Sequence, residues 1–195
     1  MKWLTLSLLL IAGLCQAGVP APALQYRAPL TRNAHAVWGL DAPIATFAAQ
    51  IHQESGWNSN AKSAYAGGLA QFTPATATWI SGVYSRELGD NQPFNPSWAM
   101  RALVTYDRRL FNQVKGASEC DRMAFALAAY NGGLGWVYKR QKLSALPGRC
   151  FDATCEINPG ITAANQKENS HYPRVILLKW QTIYAQWGRG VSCLT

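Results

Sequence analysis

The sequence predicts an all-α protein folded as a single domain, and three observations predict it. Ser97 to Lys115 carries apolar residues at helical spacing, with Ala99, Leu103, Tyr106, Leu110 and Val114 on one stripe. Asp121 to Tyr130 is almost wholly apolar and of helical length, which suits a buried central helix stopped by Asn131-Gly132-Gly133. No stretch alternates apolar and polar residues for more than a few positions, and there is no internal repeat or low-complexity tract.

The chain opens like an exported protein. Lys2, the apolar run Trp3 to Leu14 and the small-x-small site Cys15-Gln16-Ala17 give residues 1–17 the form of a signal peptide. The apolar run is too short for a comfortable membrane span. Leu14 before Cys15 argues against a lipoprotein site, while a retained signal anchor stays open. Removing the leader takes one of the five cysteines and leaves Cys120, Cys150, Cys155 and Cys193. Four cysteines in an exported chain point to two disulfides with three possible connectivities. Cys150–Cys155 and Cys120–Cys193 is the favoured set. Zinc is the weaker reading, since no C-x-x-C pair occurs and no histidine stands at ligand spacing. No metal, cofactor or cofactor motif is expected.

The net charge is +8, of which the leader supplies only Lys2. Such a charge favours anionic partners or simply solubility. Nucleic acid is set aside, because there is no run of Lys or Arg and no nucleic-acid fold signature. Residues 18–35 are Pro- and Ala-rich without periodicity and read as a loose lead, so the folded domain is expected over 36–195. Pro74 to about Gly82 is a short helix with Thr73 as N-cap and proline at its first position. Leu88 to Pro96 is loop. Lys139 to Asn169 lacks a pattern and reads as a long surface excursion. Tyr172 to Trp187 closes the chain as a helix with Val175, Ile176, Ile183 and Trp187 facing inward.

The stretch that carries chemistry is Ala45 to Gln71. Phe47, Ile51 and Glu54 share one helical face, and Gly56 follows as a stop. Glu54 therefore lies on the apolar side in the last helical turn. Burial and the partial negative charge of a helix C-terminus both disfavour its ionised form, so its pKa should rise. A glutamate that keeps its proton near neutral pH can act as a general acid. The bland alternative is an exposed or capping glutamate. The pair Gly67-Gly68 permits close backbone approach to a neighbour. Between Glu54 and Glu87 there is no other acidic residue, so a second carboxylate would have to come from a distant position such as Asp107 or Glu168. His35, His52 and His171 are read as structural or incidental. Trp57 beside the motif could stack on a sugar or simply pack.

ESGWN at 54–58, SAYAGGLAQFTPATA at 63–77, LAAYNGG at 127–133 and Glu168 to Val175 follow one another in the order seen in the soluble-lytic-transglycosylase family, which this chain resembles. The four blocks span roughly 40 to 180. The resemblance implies a lysozyme-like fold and cleavage of peptidoglycan glycan strands between N-acetylmuramic acid and N-acetylglucosamine. It implies that Glu54 serves first as acid and then as base, giving 1,6-anhydromuramoyl ends. It further implies Ser63, Gln71, Tyr130, Asn131, Glu168 and Tyr172 as groove residues. Asn169 and Pro173 depart from the family's usual threonine and valine. A periplasmic monomer is expected, serving a secretion, conjugation or pilus apparatus or a phage. The rival readings are a lysozyme-type hydrolase on the same substrate and a non-catalytic wall-binding assembly protein.

Overall fold

A computed structural model describes residues 18–193, and the leader at 1–17 lies outside them. Helices follow one another along the chain: α1 (Ala21–Leu24), α2 (Arg27–Trp38), α3 (Ile44–Ser55), α4 (Pro74–Val83), α5 (Ser85–Leu88), α6 (Pro96–Gln113), α7 (Glu119–Gly132), α8 (Leu134–Leu143), α9 (Ala163–Val175) and α10 (Gln181–Ile183). Short 3₁₀ turns lie at Thr154–Glu156 and Ala185–Trp187, and a wider π turn at Ile176–Trp180 joins α9 to α10. Among the described residues there is no β-strand. Two isolated bridges, Lys62 to Gly67 and Gly67 to Phe72, fasten the loop between α3 and α4.

The helices start where their capping residues stand. Thr73 Oγ1 accepts the Thr76 N–H at 3.1 Å, Asn95 Oδ1 accepts from Ser97 and Trp98, and Ser118 Oγ accepts from Asp121. Each satisfies backbone donors that the first helical turn leaves open. Helix α7 is the central element, packed against α6, α8 and α9, and its residues Met123 to Ala129 are all buried. Helix α6 packs on α2 and α7 with the apolar stripe turned inward.

Two expectations are corrected. The lead over 18–35 is largely helical, and Ala23, Leu30 and Ala34 are fully enclosed. Pro29 is tolerated because it sits in the first turn of α2, where its missing N–H has no helical partner. The excursion over 139–169 is largely ordered: α8 runs to Leu143, and α9 begins at Ala163 under a Thr162 cap. Only 144–162 is irregular, and Cys150–Cys155 closes it. Cys120–Cys193 ties the C-terminal segment to the start of α7, so both favoured pairings are present.

Candidate active site

Helix α3 explains how a glutamate comes to lie half-buried. Its residues Ile44 to Ile51 are buried without interruption, so the helix enters as a core element and surfaces only in its last turn. Gly56 ends it in the left-handed conformation (φ 57°), with its N–H donating to the His52 carbonyl at 2.9 Å. Trp57 follows, also left-handed at φ 70°. Its indole N–H donates to the Tyr184 hydroxyl at 2.6 Å, and its ring packs against Tyr26, Tyr184 and Trp187. Trp57 is 2 % exposed, so it anchors the turn from inside and is no sugar platform.

The turn delivers Glu54 to a cleft of about 500 Å³. Every residue named from the sequence for the groove lines it: Ser63 and Gln71 from the loop, Tyr130 and Asn131 from the end of α7, and Glu168 and Tyr172 from α9. Glu168 and Tyr172 are four apart on one helix face, which is why both reach the same cleft. Asp107 is separate. It is fully buried on α6 and reaches no part of the cleft lining, whereas Glu168 stands at the opening.

Burial pushes the Glu54 carboxyl up to about 8. The Tyr172 hydroxyl donates to Glu54 Oε1 and opposes that rise, while the nearby Glu168 carboxylate adds to it. The balance leaves Glu54 protonated at neutral pH, with Tyr172 fixing one oxygen and the other free to carry the proton toward a ligand.

The neighbours differ in how much of their hydrogen-bonding capacity they retain. The Tyr130 hydroxyl donates to the Ala70 carbonyl at 2.7 Å, so it braces the loop against α7. Ser63 accepts the Tyr65 and Ala66 N–H groups and donates to the Ala66 carbonyl, which makes it the pivot of its own turn. Gln71 holds φ at 46° and donates its amide nitrogen to the carbonyls of Ala61 and Gly68, leaving its amide oxygen as an acceptor. Asn131 donates to Glu168 Oε1 at 3.0 Å.

The glycine pair meets part of the chain itself. A Cβ at Gly67 would strike the Phe94 ring, and one at Gly68 would come within 1.9 Å of the Pro93 carbonyl. The pair therefore lets the 89–95 loop seat against the cleft wall.

Cleft residues that sequence reasoning missed include Tyr106, Thr73, Thr76 and Gln53. Tyr106 was visible only as part of the α6 stripe. Its ring lies tilted against Tyr130, with centroids 5.4 Å apart, and closes the cleft floor with Phe72. His52 proves structural, with Nδ1 at 2.8 Å from the Tyr184 hydroxyl and its ring stacked on Trp180. His171 lines the cleft.

Comparison with known proteins adds the family. Residues 33–146 match the family described as the transglycosylase SLT domain. The chain is similar to membrane-bound lytic murein transglycosylase F of Vibrio cholerae (32 % identity over 67 % of this chain and 22 % of the relative). It is also similar to the proteins of that name from Yersinia enterocolitica (34 %, over 70 % of this chain and 25 % of the relative) and Serratia proteamaculans (31 %, over 71 % and 26 %). The chain thus spans about a quarter of the length of these relatives. Glu168 and Tyr172 lie beyond the stretch the family matches and join the cleft through the fold. No helix among the described residues is long and apolar enough to cross a membrane.

Proposed function

Because the chain belongs to the transglycosylase SLT family, we propose that it is a lytic transglycosylase that cleaves the β-1,4 bond between N-acetylmuramic acid and N-acetylglucosamine in peptidoglycan. The observation that carries this is Glu54, a carboxyl held protonated to about pH 8 in a cleft of glycan-binding size. Glu54 donates its proton to the glycosidic oxygen as the C1–O bond breaks. The resulting carboxylate then takes the proton of the muramoyl C6 hydroxyl as that oxygen bonds to C1. The product carries a 1,6-anhydro ring, and no water is consumed. Tyr172 orients the acid throughout. Gln71 and Asn131 offer polar groups to the sugars, and Tyr106 and Tyr130 present aromatic faces.

A lysozyme-type hydrolase is the second reading, favoured by the Glu168 carboxylate in the same cleft, since paired carboxylates serve glycoside hydrolysis. Mass spectrometry of digested sacculi separates the two. Anhydromuramoyl ends support the transglycosylase, and reducing ends bearing a water oxygen overturn it. Glu54→Gln should lower turnover by about 10²–10⁴-fold, the usual contribution of a positioned acid–base group, while leaving wall binding intact. Full activity in that variant would favour a non-catalytic wall-binding role.

The two disulfides fit an oxidising compartment, so we place the protein outside the cytoplasm, in the periplasm, with 1–17 as its export signal. It is proposed to act as a monomer on glycan strands, in the service of a secretion, conjugation or pilus apparatus or a phage. The catalytic domain is proposed to begin at about residue 18, because α1 and α2 contribute enclosed residues.

A further inference from the structure

Behind the cleft runs a hydrogen-bond chain that the chemistry above does not use. It starts at Arg140 on α8, which is 1 % exposed and has no carboxylate within ion-pair distance among the described residues. Its guanidinium donates to the Ile157 carbonyl at 3.0 Å, to Gln166 Oε1 at 2.7 Å and to Asn169 Oδ1. Asn169, itself buried, donates through Nδ2 to the Ala128 carbonyl and to Asn131 Oδ1, both at 2.8 Å. Asn131 in turn donates through Nδ2 to Glu168 Oε1.

The direction of this chain is fixed. A side-chain amide can in general be turned either way round. A guanidinium only donates, so Asn169 must offer it oxygen and keep nitrogen for Asn131. Asn131 must then offer oxygen to Asn169 and nitrogen to Glu168. Every link points from the cation to the carboxylate, and aligned hydrogen bonds of this kind strengthen one another. The packing leaves no slack, since a Cβ at Gly132 would stand 2.5 Å from Asn169 Nδ2.

We propose that Arg140 is a positioning residue of the cleft: acting through Asn169 and Asn131, it fixes the Glu168 carboxylate on the rim beside Glu54. The inference rests on reading this cleft as the glycan-cleaving site with Glu54 as its acid. A purely structural role for Arg140 would be to tie α8, the 144–162 segment and α9 together. Gln166 separates the two roles. It accepts from the same guanidinium and donates to the Cys155 carbonyl at 3.0 Å, yet it has no link to Glu168.

The titratable groups around Glu54 are Tyr172 and Glu168 from α9, Tyr130 from α7 and, outside the cleft lining, the buried Asp107 from α6. Of these, Glu168 alone hangs on the chain from Arg140, and Glu156 is the acidic group whose charge bears on that arginine. Breaking the chain lets Glu168 swing away, which weakens the repulsion that helps to hold the proton on Glu54.

The test is an NMR titration of the Glu54 carboxyl in the full chain, beside kcat and KM against pH on purified glycan strands. The variants are Asn169→Ala, Arg140→Lys, Gln166→Ala and Glu168→Gln, with Asn169→Ala also combined with Glu168→Gln. Asn169→Ala and Arg140→Lys should move the Glu54 titration to lower pH and carry the alkaline limb of activity with it. Their kcat should fall on the order of tenfold or more, as when a positioned group is slightly misplaced, with KM little changed. Asn169→Ala should add no further shift once Glu168 is Gln. Gln166→Ala should lower Tm while leaving the Glu54 titration where it is. Arg140→Lys keeps the charge but gathers its donors on one nitrogen, which cannot serve three acceptors as the guanidinium fork does, and so provides a reading if Asn169→Ala does not fold. A wild-type Glu54 titration in both chain-breaking variants, or a shift that persists in the Glu168→Gln background, overturns the proposal. If the chain cleaves no glycan while Glu54 responds as described, the positioning holds and the transglycosylase reading fails.

Discussion

Among the described residues, two side chains that carry charge in water are enclosed, and they are accommodated in opposite ways. Arg140 is surrounded by three acceptors, all neutral and all aimed at it. Asp107 is fully buried with one long bond, from Gln50 Nε2 at 3.3 Å, while its Oδ2 and Gln50 Oε1 have no partner among the described residues. An arginine cannot shed its proton in a protein, so the fold must supply dipoles that replace water. An aspartate can be neutralised instead, and burial holds the Asp107 carboxyl well above the usual range despite the Gln50 bond, with the charge of Glu54 adding to the rise. Protonation also answers the local count. An acid hydroxyl on Oδ2 becomes a donor, and Gln50 Oε1 is an acceptor without one. The lesson concerns Glu54, which lies between these extremes. It is partly desolvated and held by one donated hydrogen bond, so it can be protonated or ionised at modest cost, as a group that must give and regain a proton requires.

The comparison is tested most severely at Arg140. Arg140→Met keeps the bulk and removes the donors, leaving three acceptors without partners. At about 1–3 kcal/mol for each buried polar group so stranded, the loss should be at least about 3 kcal/mol, read as the change in denaturant midpoint at constant m. The loss should be nearly the same from pH 5 to pH 8, because arginine stays charged across that range. A loss under about 1 kcal/mol would mean that water reaches the guanidinium and that the cation is not enclosed.

Asp107→Asn should act with the opposite sign. Asparagine mimics the neutral acid and can exchange two hydrogen bonds with Gln50. The folded Asp107 holds its proton more tightly than the unfolded chain does, so stability is highest at low pH. It declines as pH rises above 3.8, the ordinary value, toward the raised folded pKa. The substitution removes that decline, raising stability at neutral pH by about 1–3 kcal/mol and leaving it unchanged at about pH 3. Destabilisation at neutral pH would show that Asp107 is ionised in the fold, and the contrast with Arg140 would collapse.

How much of this was legible in the sequence follows from what periodicity can carry. The α6 stripe, the apolar α7 and the Gly56 stop on α3 are strong local signals, and the structure has them where the residues put them. Helix α2 was missed because only Leu30 and Ala34 are fully buried on it, too few to stand out against Pro29 and the alanines. The first turns of α9 were missed because Ala163 to Glu168 is exposed or half-exposed, and a solvated helix end has no apolar pattern to read. At the site, the residue types and their order pointed to the cleft, but hydrogen-bond partners are a tertiary property. Nothing local says that Tyr130 bonds to Ala70, that Ser63 serves its own turn, or that Gly68 makes room for Pro93. Arg140 looked like one basic residue among many, in a segment read as irregular. Only the packing of α8 against α7 and of α9 against α7 turns it inward and gives it a role.

The smallest of the expected stability effects is at Glu54, and its sign is the most informative. Folding raises the Glu54 pKa from 4.5 to about 8, so the folded state binds the proton more tightly than the unfolded chain. Below pH 4.5 both states hold the proton and the group costs nothing. Between pH 4.5 and 8 the unfolded chain is ionised while the fold is not, and stability falls steadily with pH. Glu54→Gln, a neutral isostere, escapes that fall. The cleft keeps Glu54 partly wet, so the net gain near pH 7 should be only about 1–2 kcal/mol. The gain should vanish at about pH 4. Activity of the wild type obeys the same proton: it should hold through neutral pH and fall as pH rises through about 8, because the starting acid is lost. Tyr172→Phe sharpens the point. Removing the donor that favours the ionised form should raise the Glu54 pKa further and move the alkaline limb of activity upward. Denaturant melts of wild type and Glu54→Gln from about pH 4 to pH 8, beside pH profiles of wild type and Tyr172→Phe, decide the matter. A Gln variant less stable near pH 7, or an alkaline limb that moves downward in Tyr172→Phe, would mean that Glu54 is ionised at rest and that the cleft starts its reaction with a base.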